Sequence, residues 1–327
     1  MLVFSDLHHK GLAESLQLLF EKRLGHQLFF PYGLDWFPKY WKIGDPYGET
    51  AINTAKQFLT GELPSDGTGV VTIPNKMTFY EFINTDIDVL IASIPEHIEP
   101  YKELIKLYHP KAKLIFQIGN SWSMDYDVKN VLASIHPMTV PEGINAVFYH
   151  QEFELPGYKA PEKSNKITSF VNCLGHDQLF QQDWKEFLTL EHYLKGFECR
   201  SYGASCRDGN MQSDIIGDMM SDSHFSVHLK QSGDGYGHVA HGWGAVGRPV
   251  IFRGDQYKGK LAGKLFKHLE TGFDLDKMSC VDVAHEIRTM SPGSHRQMCE
   301  SMYKTFKQEV DFDKEEQSIQ EFMGRLQ

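Results

Sequence analysis

DGYGHVAHGWGAVGRPVI, residues Asp234–Ile251, crowds five glycines and two histidines in front of a short apolar strand. Backbone this bare serves one of three ends. It brings main-chain N–H groups close to an anion, it makes room for a metal, or it lets a helix and a sheet pack closely. The residues on either side favour the first. HFSVHLK (224–230) reads as a strand before the turn, and RPVIF (248–252) reads as a strand after it. Strand, glycine turn, helix, strand is a βαβ unit. Its helix N-terminus adds partial positive charge where the chain is barest.

The same alternation runs outward in both directions. MLVFS is a short strand. GLAESLQLLFEKRLG sets Leu12, Leu16, Leu19 and Phe20 on one helical face, with Gly25 as a stop. HQLFFP, DVLIAS and KLIFQIG read as further buried strands, with a helix over IPEHIEPYKELIKLYHP, and AVFYHQEFEL follows. EFELPGYKAPEKSNK is polar, carries two prolines and reads as a linker. Beyond it ITSFVNCL, FECRSYG and HFSVHLK are strands, DQLFQQDWKEFLTLEHYL and SDIIGDMMSDS are helices, and the tail DKEEQSIQEFMGRLQ is helical. The expectation is an α/β protein of two Rossmann-like domains facing one cleft. Residues 1–157 form the first domain, 158–305 the second and 306–327 a terminal helix.

Composition sets limits. The 327 residues suffice for two domains, each with a real core. No apolar run is long enough to cross a bilayer, and the opening MLVFSDLHHK lacks the apolar stretch of a signal peptide, so a cytoplasmic protein is expected. The five cysteines are odd in number and form no C-x-x-C, which suits a reducing compartment. A net charge of −10 opposes a broad nucleic-acid binder and still allows a local basic groove.

The stretch HFSVHLKQSGDGYGHVAHGWGAVGRPVIF resembles the donor-binding segment of GT-B glycosyltransferases: a strand, a loop, E-G-F-G, a helix, then G-x-P-V-I. Asp234, Gly235, Tyr236 and Gly237 stand at the first motif, and Gly247, Arg248, Pro249, Val250 and Ile251 at the second. The resemblance implies a nucleotide-sugar donor as co-substrate, no metal and no other cofactor. Many members carry a second acid for the ribose or sugar; the matching position here is Gly242, beside His241, so the sugar and nucleotide are not carried over. Asp234 is a candidate for sugar hydroxyls, and His238 or His241 for phosphate or sugar. Lys230, just before the turn, is the leading candidate to neutralise phosphate, followed by Arg200 and Arg207.

In the first half the loop after the first strand holds Asp6, His8 and His9. Several GT-B enzymes place a catalytic histidine there, sometimes helped by an aspartate. A general base eases removal of the acceptor's proton, and an imidazole oriented by a carboxylate suits the task. His9 is placed slightly ahead of His8, with Asp6 as orienter. Glu96–His97, after DVLIAS, is the second candidate pair. Trp36, Tyr40 and Trp41 lie in an aromatic-dense segment that suits an acceptor or a packed loop equally. The opening SDLHHKGLAESLQLLFEKRLG also resembles glycosyltransferase-like proteins of phage and environmental origin. That implies a hydroxymethylated base in phage DNA as one acceptor, with a host-cytoplasmic location, and a surface glycan as the other. Inverting and retaining chemistry are not distinguished.

Two rival readings stand. SDLHH resembles the D-x-H signature of metallophosphoesterases, with Asp6 and His8 as metal ligands, although the later motifs of that family are damaged here. The other is a non-catalytic nucleotide-sugar-binding module.

Overall fold

A computed structural model describes residues 1–6, 10–36, 62–65, 69–72, 75–119, 127–135, 140–175, 180–211, 213–231 and 235–327. The chain divides into two compact units. One is built from the stretch up to Phe153 together with Phe312–Gln327, the other from Glu154–Asp311.

The first unit starts with β1 (Leu2–Ser5) and α1 (Lys10–Gln17), which runs on as a π-helical turn over Leu18–Arg23. Leu12, Leu16, Leu19 and Phe20 are buried, as their helical spacing requires. Gly25 ends the helix at φ +65°, a left-handed conformation that a Cβ disfavours. Then come β2 (Gln27–Pro31), a small antiparallel hairpin β3 (Glu62–Ser65) and β4 (Gly69–Thr72), β5 (Lys76–Met77) and α2 (Phe79–Asn84). Thr78 and Glu81 close a reciprocal capping box at the start of α2. β6 (Val89–Ala92), a 3-10 turn over Pro95–His97, α3 (Ile98–Tyr108), β7 (Lys113–Ile118), β8 (Asn130–Ala133) and β9 (Asn145–Phe148) complete it.

Among the described residues the main sheet has seven strands in the order β5-β2-β1-β6-β7-β8-β9, and every pairing in it is parallel. Both faces are covered, so VLIA of β6 is buried at all four positions. One face carries α1; Ile319, Phe322 and Met323 of the terminal helix (Phe312–Gly324) join the same core. Asn145 Nδ2 donates to the carbonyl of Phe322 at 3.2 Å, and the N–H of Gln327 donates to Asn130 Oδ1 at 3.1 Å, so strands β8 and β9 hold the end of that helix.

The second unit contains β10 (Lys166–Ser169), α4 (Gln181–Tyr193), β11 (Glu198–Ser201), α5 (Ser213–Ser221), β12 (Phe225–Val227), α6 (His238–Val246), β13 (Val250–Phe252), α7 (Gly254–Tyr257), β14 (Gly272–Asp274), α8 (Cys280–Thr289) and α9 (Pro292–Glu309). Its sheet runs β11-β10-β12-β13-β14, again with parallel pairing throughout. Two parallel sheets flanked by helices bear out the α/β reading.

The segment expected as a linker is packed from its start. Pro156 lies against Gly217 of α5, and Leu155 approaches Gly242 of α6. Tyr158 stacks on Tyr303 with ring centroids 4.9 Å apart, and Arg248 Nη1 donates to the carbonyl of Lys159 at 3.0 Å. Polar composition and two prolines marked an irregular path, and the apolar residues between them are what fasten it.

Candidate functional site

In a doubly wound parallel sheet, ligands bind outside the carboxyl ends of the strands, where successive strands depart to opposite sides. In the second unit that point lies between β10 and β12. The glycine turn leaves β12 there. Its described ends are pinned by side chains and backbone. The N–H of Ala262 donates to the carbonyl of Gly235 at 2.9 Å. Tyr236 is fully buried, and its hydroxyl lies 2.9 Å from His241 Nδ1, with the His241 ring edge-on to Phe306. Of the two histidines expected at phosphate or sugar, His241 is buried and bonded to Tyr236.

The five glycines divide by function. A Cβ at Gly242 would meet Met220 Sδ at 2.4 Å, and one at Gly244 would meet Phe306 at 2.5 Å. Gly247 ends α6 at φ +65° with Tyr158 2.6 Å from where its Cβ would sit. Gly242 and Gly244 are present for close packing; Gly247 is needed for both its backbone conformation and that packing. Gly237 differs. It is the N-cap of α6, in extended conformation at φ −138°, and a Cβ there would meet nothing within 4 Å. No side chain caps the helix at that residue. The first N–H groups of an α-helix have no intrahelical partner. Half-buried His238 stands in the first turn of α6. Asp234 lies outside the described residues. Where a second acid was missing from the motif, the packing gives the reason: position 242 faces Met220 and Leu155.

The basic candidates separate too. Lys230 lies three residues beyond the end of β12, and its N–H donates to Gln256 Oε1 at 3.1 Å. Arg200 bonds Glu198 and Asp208, and Arg207 bonds Glu191, Asp208 and the carbonyl of Cys199. The Arg207 guanidinium also lies over Trp184 and Phe187, 5.7 and 5.6 Å from the ring centroids. Strand-end position alone suggested phosphate contact; the neighbouring carboxylates engage both arginines instead.

The corresponding point of the first unit lies between β1 and β6. Asp6 leaves β1 and is buried. Its carboxylate accepts from the N–H of Ser93 at 2.7 Å and from the Ser93 hydroxyl, and Oδ2 lies 2.7 Å from His97 Nδ1. The N–H of Asp6 donates to the carbonyl of Ile91 at 3.1 Å. His97 is fully buried and stacks on Tyr101, whose phenol burial, and secondarily the Asp6 charge, push well above its ordinary range. Asp6 therefore serves His97 and Ser93. The bonds made by its described atoms run to Ser93 and His97, while the histidine it was expected to orient, His9, lies outside the described residues. His8 and His9 lie outside the described residues, while Glu96 is exposed on the 3-10 turn. Of the two ligands in the metallophosphoesterase reading, Asp6 is described and bonds Ser93 and His97, and His8 lies outside the described residues. Among the described residues no group of three or more His, Cys, Asp or Glu side chains is placed to hold a metal ion.

Trp36 is a further correction. It is 1% exposed, stacks on Phe4 at 5.0 Å and donates from Nε1 to the carbonyl of Met77 at 3.1 Å, so it is core. Tyr40 and Trp41 lie outside the described residues. Ser93, Asp183 and Gln256 were missed. Ser93 ends an apolar run and Asp183 sits in a first helical turn, common places for those residue types, so nothing in the sequence marked them.

No family model and no curated protein matches the chain. Solved structures do match it. HepE of Anabaena in complex with UDP-glucose aligns over 100% of both chains at 11% identity with a TM-score of 0.64. A glycosyltransferase from Rickettsia africae covers 98% of this chain and 97% of its own at 13% identity and a TM-score of 0.58. The DNA-modifying enzyme beta-glucosyltransferase, solved with and without uridine diphosphoglucose, covers 99% and 100% at 9% identity and a TM-score of 0.57. These neighbours are glycosyltransferases of the GT-B type, and the chain has their fold. Among the described residues no helix is long and apolar enough to cross a membrane.

Proposed function

We propose that this chain is a glycosyltransferase that moves a sugar from a nucleoside-diphosphate sugar to an acceptor hydroxyl. The observation that carries the reading is the start of α6. An open glycine N-cap stands at the switch point of a parallel sheet, with a braced turn before it and Lys230 at the exit of β12. That arrangement suits a diphosphate, which takes backbone N–H groups and the positive end of a helix. The uridine diphosphate class is the first donor to test, because HepE is described with UDP and with UDP-glucose. The site as proposed uses no resident metal. The net charge of −10 weighs against duplex DNA, so a glycan hydroxyl is the first acceptor and a hydroxymethylated base the second.

The proton acceptor is assigned to the loops at the first switch point, from His8, His9 or exposed Glu96, with Asp6 and His97 holding those loops in place. Loss of a general base costs about a hundred- to ten-thousand-fold in rate. His9→Ala, His8→Ala and Glu96→Gln are therefore expected to include one variant with collapsed turnover and parental donor affinity. Three variants of parental turnover would move the base elsewhere.

The reading as a whole is tested by thermal shift against a panel of nucleotides and nucleotide sugars, with and without chelator. A ligand at about a hundred times its Kd adds about 2.7 kcal/mol to the native state. Stabilisation by a nucleoside diphosphate in the presence of chelator is expected. Silence across the panel with a large shift from manganese alone would favour the hydrolase. Donor binding with neither transfer nor donor hydrolysis would favour the non-catalytic module.

A further inference from the structure

Two consecutive backbone amides at the mouth of the glycine turn are not open to a ligand. The N–H of Gln231 donates to Asp183 Oδ2 at 2.7 Å, and that of Lys230 donates to Gln256 Oε1 at 3.1 Å. The ring is closed by Gln256 Nε2, which donates to Asp183 Oδ1 at 3.0 Å. Asp183 comes from the first turn of α4 and Gln256 from α7, so three elements meet on the chain as it leaves β12. Asp183 is 2% exposed. A buried carboxylate is costly unless bonded, and here its oxygens accept from a backbone amide and a side-chain amide.

We infer that Asp183 and Gln256 are positioning residues for the donor: they set the direction in which the glycine turn leaves β12 and so present the α6 N-terminus to the diphosphate. The inference rests on the donor site proposed above.

The bond polarity of the ring gives the test. In Asp183→Asn a donor faces a donor at one of the three bonds however the amides are turned. In Gln256→Glu two carboxylates face each other. In the double variant Asp183→Asn/Gln256→Glu every bond is restored, since the new carboxylate accepts from Lys230 N–H and from the new amide, whose oxygen accepts from Gln231 N–H. UDP and UDP-glucose affinities would be measured by calorimetry on the full chain, with melting temperatures alongside. Each single variant is expected to weaken UDP binding by about ten-fold, the scale of one hydrogen bond, and the double variant to return within about three-fold of the parent. Gln256→Met, at a half-buried position, gives the same loss should Asp183→Asn fold poorly. Folded single variants that bind UDP like the parent would overturn the inference and leave the donor site standing. A double variant no better than the singles would also overturn it. A parent chain that binds no nucleotide would overturn the donor site itself, and the inference with it.

Discussion

Both units are doubly wound parallel sheets of different strand order, seven strands against five, and they fill their switch points in different ways. In the first, side chains close it: Asp6 binds Ser93 and His97 across the gap between β1 and β6, and all three are buried. In the second, the described side chains brace the rim. Tyr236–His241 and Asp183–Gln256 hold the turn from outside, and a Cβ at Gly237 would meet nothing within 4 Å. A sheet of this kind therefore does not dictate a ligand site; it dictates a place where the chain must either be tied shut or be left open.

The largest effect is expected from untying the first point. Asp6→Ala leaves His97 buried without its carboxylate and Ser93 without its acceptor. Each buried hydrogen-bonding group left without its partner costs about 1–3 kcal/mol, and Asp6 bonds Ser93 twice and His97 once. Urea unfolding should show that loss in the first unit, with UDP affinity in the second unchanged. A loss below about 1 kcal/mol would make the pin dispensable and remove the contrast between the units.

The complementary substitution fills the open point. Gly237→Val places a side chain where nothing lies within 4 Å, so the melting temperature should hold while UDP affinity falls on the order of 100-fold, the loss of one or two bonds to charged phosphate. Gly244→Val, seven residues on in the same helix, should do the reverse and destabilise the chain, because Phe306 stands 2.5 Å from its would-be Cβ. If Gly237→Val bound UDP like its parent, the open end of α6 would have no part in donor binding.

Acid should also separate the units. The second buries His224 against His295, with ring centroids 3.7 Å apart, near Arg248. Burial, then the charge on His295 and that on Arg248, lowers His224 to about 4. The folded state thus favours the neutral ring. Its contribution is complete above the unfolded value of about 6.5 and is lost as pH falls from there toward 4, by up to about 1.4 kcal/mol per pH unit. The ring is only half-buried, so the total is discounted to about 2 kcal/mol. His224→Phe should flatten the stability profile of the second unit between pH 6.5 and 4. An unchanged slope would place the acid sensitivity elsewhere.

How much of this was legible in the sequence differs between the two points as well. The strands of both sheets that are apolar throughout, such as VLIA of β6 and VIF of β13, declare themselves because both faces are covered. β8 and β14 were missed: each is only four or three residues long, and Gly272 opens β14. The helices Cys280–Thr289 and Pro292–Glu309 also escaped, although Ser279 and Ser291 cap them. The glycine turn was legible because its residue type is unusual. The first point was half legible. Asp6, Glu96 and His97 were singled out, but in separate pairs, since sequence spacing carries no sign that residues 91 apart share a bond. Trp36 misled for the converse reason: an aromatic residue beside glycine and proline looks the same in a loop or a core until its neighbours are known.

The smallest effect is expected at Arg200, and it sharpens the contrast by locating the open point. Arg200 ends the side of the sheet formed by β11, on the far side of β10 from the glycine turn. Its Nε donates to Glu198 at 2.8 Å and its Nη1 to Asp208 at 3.0 Å, so the cation already has two carboxylates. A phosphate would have to displace one of them, and exposed ion pairs are cheap to remove. Arg200→Ala should change UDP affinity by less than about two-fold, with little change in melting temperature. Lys230→Ala, at the exit of β12, should cost about ten-fold or more and make binding less salt-sensitive, as expected when a cation next to a phosphate is lost. Calorimetry at two ionic strengths separates them. A ten-fold loss at Arg200 with none at Lys230 would move the diphosphate to the β11 side of the switch point. Gly242, Gly244 and Gly247 would then keep packing as their reason, and the open position at Gly237 would have none.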